Sequence, residues 1–295
     1  MSNSASMSCV VLVDKPIGPT SFDVVRAARR GLREKVGHAG TLDPFASGLL
    51  LVLVGQATRA SSLLMELPKE YEVVVQFGAV STTADPTGDV CQTGVRVEVG
   101  QVAAALEEFR GKIKQRVPMT SAVKVAGEAL YRKAHRGEVV ETPEREVTVY
   151  DLTLVDFDEE SQAGRMVAVT GSGTYIRSLA EDLGRATGAG GYAASLRRTR
   201  SGAFSVEDAF MPDELSPERY RTGGRGVLGL DEALSFLPVH QIGDQEARLA
   251  ANGGSLSNAP LGRFRAHGPE GLIGIYEGRG DTARPLVVFP RQGRS

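Results

Sequence analysis

The chain has 295 residues, of which 41% are hydrophobic and 24% charged, and its formal net charge is −2. These values are typical of a globular protein with one large domain and a smaller one. No apolar run approaches the roughly 20 residues that span a bilayer. Residues 1–8 also lack the apolar stretch of a signal peptide. We therefore expect a cytoplasmic protein without a membrane segment.

The first third of the chain predicts strands separated by a helix and loops. Residues 10–13 form a short apolar run, and Thr20 or Ser21 is placed to cap the helix that follows. The expected apolar stripe of this helix is Phe22, Val25, Ala28 and Leu32. Residues 49–54 are continuously apolar, which indicates a buried strand. Residues 71–77 alternate, which indicates a strand with one buried face, and residues 102–109 read as a helix.

Basic residues gather in three parts of a chain that is slightly acidic overall. Residues 110–136 contain eight lysines or arginines and one acidic residue, Glu128. Five more basic residues lie in 26–35, and three in 197–200. Any one cluster is explained by a solvated face, but three together favour a segregated basic surface that contacts nucleic acid.

The remaining elements complete an α+β pattern. Residues 147–157 and 165–170 read as antiparallel strands, and a helix over about 175–183 is expected to end at Gly184. Residues 212–229 are a loop-like link, and 230–237 form a last short helix. From residue 238, short strands such as 271–276 and 285–289 alternate with glycines, which suits a small β-rich module. The two cysteines give no disulfide framework or metal cluster.

His38 and Asp43 lie five residues apart in a Gly- and Pro-containing segment that leads directly into the apolar run 49–54. A carboxylate held at the mouth of a buried strand is a candidate reactive group. The alternative is a turn in which Asp43 bonds only nearby backbone N–H groups. Asp85, which also precedes a proline, fits the same description, so spacing alone does not favour Asp43.

Five segments in order resemble the motifs of one enzyme family: VDKPIGPTS (13–21), HAGTLDPFASGLL (38–50), KEYEV (69–73), GSGTYIR (171–177) and LRR (196–198). They resemble the bacterial TruB-type tRNA pseudouridine-55 synthases over about residues 9–237. The resemblance implies a mixed, mainly antiparallel sheet with flanking helices in a catalytic domain, 1–237. It also implies a mobile basic RNA-binding insertion at 111–143 and, more weakly, a PUA-like RNA-binding domain at 238–295.

By this resemblance, Asp43 is the catalytic carboxylate that breaks the C1′–N1 bond of a tRNA uridine before C1′ joins C5. It acts as a nucleophile at C1′ or removes the C2′ proton, and both routes stay open. Arg177 is its implied ion-pair partner, which would favour the ionised carboxylate. Tyr71 is implied to stack on the uracil and to assist loss of the C5 proton. The reaction is redox-neutral and needs no cofactor.

The remaining implied site residues bind the substrate or support the loop. Tyr175 and Leu196 would line the uracil pocket, although ordinary core packing also explains them. His38 would insert into the RNA loop, with a hydrogen-bonding turn as its alternative. Lys15 and Pro16 are expected to support the catalytic loop structurally.

The predicted protein is a monomer that modifies the T-arm of tRNA without a guide RNA or protein partner. A tRNA-folding protein with secondary catalysis is one alternative, and a guide-dependent synthase of the dyskerin type is another. The basic insertion argues for the stand-alone type. A hydrolytic nucleosidase is least supported, because the motifs pair no second carboxylate with Asp43.

Overall fold

The structure is a computed structural model that describes residues 7–290 apart from 122, 126 and 139. The sequence predicted no signal peptide in residues 1–8, and six of these, residues 1–6, lie outside the described residues. Within the described range, every helix is too short or too polar to cross a bilayer.

Nineteen strands and eight α-helices are formed by the described residues. The strands are β1 (Cys9–Lys15), β2 (Val36–Ala39), β3 (Ser47–Val54), β4 (Lys69–Phe77), β5 (Ala79–Ser81), β6 (Val90–Gln92), β7 (Gly111–Arg116), β8 (Lys124–Val125), β9 (Glu128–Ala129), β10 (Glu144–Asp158), β11 (Ala163–Thr170), β12 (Gly191–Ser201), β13 (Phe204–Ser205), β14 (Val227–Gly229), β15 (Val239–Gln241), β16 (Leu256–Ser257), β17 (Gly262–Gly268), β18 (Gly271–Arg279) and β19 (Thr282–Val288). The helices are α1 (Ser21–Ala28), α2 (Ser61–Glu66), α3 (Val99–Glu108), α4 (Leu130–His135), α5 (Ile176–Ala186), α6 (Pro217–Thr222), α7 (Leu230–Ala233) and α8 (Asp244–Ala251).

The larger sheet has ten strands in the order β14-β1-β3-β12-β4-β11-β10-β7, with β2 beside β3 and β13 beside β12. Strands β3 and β12 run parallel where Ser47 and Gly48 face Arg197 and Arg198. The other pairs described in this sheet are antiparallel. The predicted α+β class with a mainly antiparallel sheet is therefore confirmed.

Strand β3 is buried on both faces, which explains its unbroken apolar run. Alternate residues of β1 and β3 pack on one side against α1, and the others pack on the opposite side near α2 and α7. Strand β4 alternates as predicted, with Tyr71, Val73, Val75 and Phe77 buried in the core beneath α5. The antiparallel pairing of β10 with β11 is also confirmed.

The four predicted helices all depart from their predicted bounds: α3 spans Val99–Glu108 and not 102–109, and α7 ends at Ala233 and not at residue 237. Helix α1 begins after the cap Thr20, as expected, but it ends at Ala28, and the chain then turns at Gly31 with φ +71°. Its inward positions are 21, 24, 25 and 28, so Phe22 is 65% exposed and the predicted stripe was wrong there. Helix α5 continues through Gly184, where a Cβ would lie 2.0 Å from the backbone N of Gly191. The missing side chain therefore serves a close contact and does not end the helix.

Two regions in which no strand was predicted contribute strands to the larger sheet. Residues 111–116, placed at the start of the basic insertion, are the edge strand β7 paired with β10. Residues 227–229, placed in the link, form β14 and pair with β1. The segment that leaves the sheet after β7 contains the β8–β9 hairpin and α4.

The last part of the chain forms a separate five-stranded sheet in the order β15-β17-β18-β19-β16, next to α8. It packs against the first part through an apolar cluster in which Leu63 and Leu234 meet Ile275 and Phe289. An ion pair between Arg263 and Glu66 lies across the same boundary. The β-rich module predicted from the glycine-separated strands is present.

Candidate active site

Asp43 lies in the loop that joins β2 to β3, and the loop is held on both sides of it. The Ser21 hydroxyl, at the start of α1, donates to Leu42 O at 3.0 Å and accepts from Leu42 N at 2.8 Å. Gly18 N donates to Pro44 O at 2.8 Å. The carboxylate is thus carried by a loop that α1 and the first motif fix in place.

Arg177, the second residue of α5, lies between two carboxylates and its side chain is 3% exposed. Its Nε is 2.9 Å from Oδ2 of Asp43, and its Nη1 is 3.2 Å from Oδ2 of Asp85. The same Nη1 donates to Thr83 O at 3.1 Å and to the Thr120 hydroxyl. The ion pair predicted between Arg177 and Asp43 is therefore present, and Asp85 is a second partner.

The carboxylates of Asp43 and Asp85 differ in the number of hydrogen bonds that they accept. Oδ1 of Asp85 accepts from the Thr83 hydroxyl at 2.7 Å, from Thr87 N at 2.9 Å and from the Thr87 hydroxyl, and the side chain is 6% exposed. Asp43 is 33% exposed, and within the described part of the chain its Oδ1 has no hydrogen-bond partner. The turn interpretation therefore applies to Asp85, whereas Asp43 presents a free oxygen.

The pKa of Asp43 is raised above its ordinary value. Burial is the largest cause, and the negative charge of Asp85 adds to it. The positive charges of Arg177 and Lys15 lower the pKa but do not cancel the effect of burial. Arg177 therefore limits how far burial raises the pKa of the Asp43 carboxylate.

Lys15 is fully buried beneath the first motif. Its ammonium donates to Pro16 O at 2.8 Å and to Pro19 O at 3.0 Å. Burial lowers the pKa of Lys15 to about 8, with Arg198 adding to the effect and Asp43 opposing it. These bonds fold the first-motif segment over the lysine, next to the loop that carries Asp43.

Tyr71 and Leu196 lie on adjacent strands, β4 and β12, and are 8% and 7% exposed. They share an apolar cluster with Leu42 and Phe45, which flank Asp43, and with Ile176, which precedes Arg177. The Tyr71 hydroxyl makes no hydrogen bond to any described residue. The structure therefore brings these two predicted residues to the loop that carries Asp43.

Tyr175 immediately precedes α5, two residues from Arg177. The side-chain amide of Gln115 holds its backbone from both sides, donating to Tyr175 O at 2.9 Å and accepting from Tyr175 N at 2.8 Å. The Arg145 guanidinium lies 4.6 Å from the centroid of the Tyr175 ring. One edge strand, β7, therefore fixes the backbone at the start of α5.

His38 lies in strand β2, opposite Val52, and not in a loop as the sequence suggested. Its Nδ1 is enclosed without a hydrogen-bond partner among the described residues. Burial, with the nearby charge of Arg198, lowers the pKa of His38, which favours the neutral ring at neutral pH. Pairing with β3 explains the strand, because residues 36–39 match four consecutive residues of β3.

The predicted basic cluster at 197–200 is largely not a free surface. Arg198 is 2% exposed, and it donates to Leu49 O at 2.7 Å through Nε and to Gly40 O at 2.9 Å through Nη2. Arg197 forms a two-point ion pair with Asp14 at 2.6 and 3.0 Å. Arg198 instead ties β12 to both ends of the segment that carries Asp43.

A polar cleft of about 580 Å³ opens beside Arg177, between β7 and α5. Thr83 and Thr120, which bind the guanidinium, form part of its wall. Lys114, Arg116 and Arg185 add positive charge, and Glu144, Glu181 and Asp182 add negative charge. The cleft therefore lies where the segment after β7 leaves the sheet.

Sequence reasoning missed the contribution of Asp85 to the site and the burial of Arg198. The available signal for Asp85 was its Asp-Pro pair, identical to that of Asp43. The signal for Arg198 was its place in the LRR motif, next to Leu196. Neither signal shows that Asp85 contacts Arg177 or that Arg198 contacts the backbone on both sides of the Asp43 loop.

Two family models match the chain. The model of the N-terminal domain of TruB family pseudouridylate synthases matches residues 29–176, and the tRNA pseudouridylate synthase B C-terminal domain model matches residues 177–234. The chain is 42% identical to tRNA pseudouridine synthase B of Thermobifida fusca, over 95% of this chain and 98% of that protein. It is 36% identical to the protein of the same name from Aquifex aeolicus, over 92% of each.

Solved structures with the same fold include chains from two complexes that contain Cbf5 and Nop10. One chain of an archaeal box H/ACA sRNP Nop10–Cbf5 complex matches with a TM-score of 0.73 and 25% identity, over 98% of this chain and 88% of that one. A chain of a Cbf5–Nop10–Gar1 complex matches with a TM-score of 0.72 and 26% identity, over 96% of this chain and 84% of that one.

Proposed function

The chain belongs to the TruB family of pseudouridylate synthases, and from this membership we propose which uridine it modifies and which residues act on it. It is a tRNA pseudouridine synthase, an isomerase that breaks the C1′–N1 bond of a uridine and joins C1′ to C5. The proposed target is uridine 55 in the T-loop. A T-loop uridine suits an enzyme that flips its target, because an unpaired base costs less to extrude.

Asp43 is the proposed catalytic carboxylate, and one observation supports this most strongly: Arg177 holds its Oδ2 while its Oδ1 has no partner among the described residues. The free Oδ1 can add to C1′ or take the C2′ proton, and both routes need the ionised form. Arg177 is proposed to orient the carboxylate and to favour its charge.

The apolar cluster around Asp43 has a proposed role in excluding water. The cluster includes Leu42, Phe45, Tyr71 and Leu196. Water that reached C1′ would react there, and the uracil would be released instead of being joined again through C5. Tyr71 is proposed to stack on the flipped uracil, and its unbonded hydroxyl to assist loss of the C5 proton. Tyr175 is proposed to line the same pocket.

His38 is proposed to contact the RNA loop beside the target, because its ring lies on β2, which leads into the Asp43 loop. Lys15 and Pro16 are proposed to act structurally. The bonds of the Lys15 ammonium to two backbone carbonyls support that role.

We propose that the enzyme acts as a cytoplasmic monomer without a cofactor, guide RNA or protein partner. Its fold relatives were solved in complexes, whereas this chain has basic residues of its own in β7 and in the β8–β9 hairpin that follows it. Lys114 and Arg116 line the cleft beside Arg177, and Lys124 is exposed in the β8–β9 hairpin. These charges would bind the T-arm phosphates that a guide complex would otherwise position.

The proposed domains are a catalytic domain at 1–237, with an RNA-binding insertion within 111–143, and a PUA-like RNA-binding domain at 238–295. Support comes from the separate five-stranded sheet, whose strands lie within 239–288.

The deciding experiment incubates the protein with an unmodified tRNA transcript and maps pseudouridine by carbodiimide treatment, with Asp43→Asn in parallel. We expect one new pseudouridine in the T-loop and none with the variant, while tRNA affinity stays within about twofold. An active Asp43→Asn variant would overturn the catalytic assignment. Tight tRNA binding without modification by the wild type would favour a tRNA-folding protein, or an enzyme that needs a guide.

A further inference from the structure

Two of the most exposed apolar side chains in the described structure lie beside the Asp43 loop. Ile17 is 67% exposed and Phe22 is 65% exposed. Single exposed apolar residues are ordinary on protein surfaces. These two, however, flank the segment that is bonded to the Asp43 loop through Gly18 and Ser21. Their positions relative to Asp43 are therefore fixed.

The backbone around Phe22 is also held rigidly. The Thr20 hydroxyl accepts from Asp23 N at 3.1 Å, and the Asp23 carboxylate accepts from Thr20 N at 3.0 Å, on either side of Phe22. Because the inward positions of α1 are already occupied, the ring is directed outward. An exposed ring on a backbone that is held in place can bind a flat ligand with less loss of conformational entropy than a ring on a mobile segment.

The charge around the ring identifies the class of ligand. The Arg26 guanidinium lies 5.5 Å from the centroid of the Phe22 ring and 3.3 Å from the Asp23 carboxylate. Arg29, Arg30 and Arg33 follow, all exposed, and the structure shows no ion pair for them among the described residues. An apolar ring with Arg26 beside it and three further exposed arginines along the chain suits a nucleic acid, which offers a base to stack and phosphates to bind.

We propose that Ile17, Phe22 and the arginines at positions 26, 29, 30 and 33, here called the α1 surface, bind the tRNA substrate next to the flipped uridine. An unstacked base of the loop stacks on the Phe22 ring with Ile17 at its edge, and the arginines contact the adjoining phosphates. The inference rests on the proposed function, since it names a further contact of the same substrate. It is independent of the basic residues of β7 and the β8–β9 hairpin.

The absence of tryptophan from the sequence offers a direct probe. Phe22→Trp places the only indole of the chain on the α1 surface, where a stacked base would quench its fluorescence. Val155→Trp is the matched control. Val155 is 52% exposed in β10, four strands from β3 in the sheet order, roughly 19 Å at the usual strand spacing. Both variants carry Asp43→Asn, so that bound tRNA transcript stays unreacted.

We expect tRNA to quench Phe22→Trp and to leave Val155→Trp unchanged. In otherwise wild-type protein, Phe22→Ala should raise KM for tRNA about 5- to 100-fold, the range typical of one lost base–aromatic stack. The kcat should stay within about twofold, and Phe22→Trp should restore KM. Thermal unfolding midpoints of the two variants should match the wild type, because the side chain is exposed.

Unquenched Phe22→Trp in a complex that filter binding shows to be formed would overturn the inference. So would a KM for Phe22→Ala within twofold of wild type, or equal quenching of the control. Quenching reports binding and does not depend on the reaction, so the α1 surface and the proposed function are tested by different measurements. Quenching without pseudouridine formation by the wild type would refute the proposed function and keep the α1 surface. Pseudouridine formation without quenching would do the opposite.

Discussion

Replacing Arg177 by methionine removes a guanidinium from between two carboxylates and leaves an apolar side chain of similar length. Asp43, 33% exposed, can be rehydrated after the change, whereas Asp85, 6% exposed, cannot. Removing one partner of a buried pair costs about 3–5 kcal/mol. Because the charge left in the interior belongs mainly to Asp85, we expect most of that loss of unfolding free energy to come from Asp85.

The measurement is equilibrium urea unfolding followed by far-ultraviolet circular dichroism. Adding Asp85→Asn to Arg177→Met should recover about 1–3 kcal/mol, the usual size of a coupling between contacting groups. The control is Arg225→Met, which breaks an exposed ion pair to Asp208 and should cost no more than about 1 kcal/mol. An Arg177→Met variant as stable as Arg225→Met, or a double variant no more stable than Arg177→Met, would refute the reasoning.

Three further predictions test the site and its support. Because the pKa of Asp43 is raised and its ionised form is required, kcat/KM should fall on acidification at a pH above the usual aspartate range. Asp85→Asn removes a neighbouring negative charge, so the pH at which kcat/KM falls should be lower in this variant. A pH–rate profile in which that pH is unchanged or higher contradicts the prediction. Tyr71→Phe should bind tRNA normally but stall at the C5 proton, and normal turnover in a tritium-release assay argues against a role for the hydroxyl. Gly48→Ala should destabilise the protein by more than about 3 kcal/mol, because φ is +103° and the new Cβ would lie 2.2 Å from Arg198 O; an unfolding midpoint near that of wild type would contradict it.

The sequence predicted correctly those elements whose burial produces a periodic pattern of apolar residues within the element. The continuous apolar run of β3 and the alternation of β4 both matched the structure, because the two kinds of burial leave different periodicities. The cap at Thr20 matched because capping is a local hydrogen bond. The pairing of Arg177 with Asp43 came from the resemblance, since no local rule joins residues so far apart.

The sequence failed where a residue type had two uses. Gly184 is typical of a helix end, but here it allows the close approach of Gly191. The Asp85-Pro86 pair did not distinguish a turn from a reactive carboxylate, and the same carboxylate both forms a turn and binds Arg177. Arg198 was counted with the surface charges because composition does not distinguish an exposed arginine from one buried against backbone carbonyls. Such dual uses depend on contacts between distant parts of the chain.

The position of β12 determines when the larger sheet can close during synthesis. Strands β3 and β4 are neighbours in the chain, but β12, which ends at residue 201, lies between them. A chain still being synthesised on the ribosome exposes the Asp43 loop long before Arg177, Leu196 and Arg198 have been translated. The centre of the sheet therefore closes late, through contacts of large sequence separation that form slowly. A product terminated before residue 177 would have the carboxylate and the Gly18 and Ser21 contacts of its loop, but not its ion-pair partner.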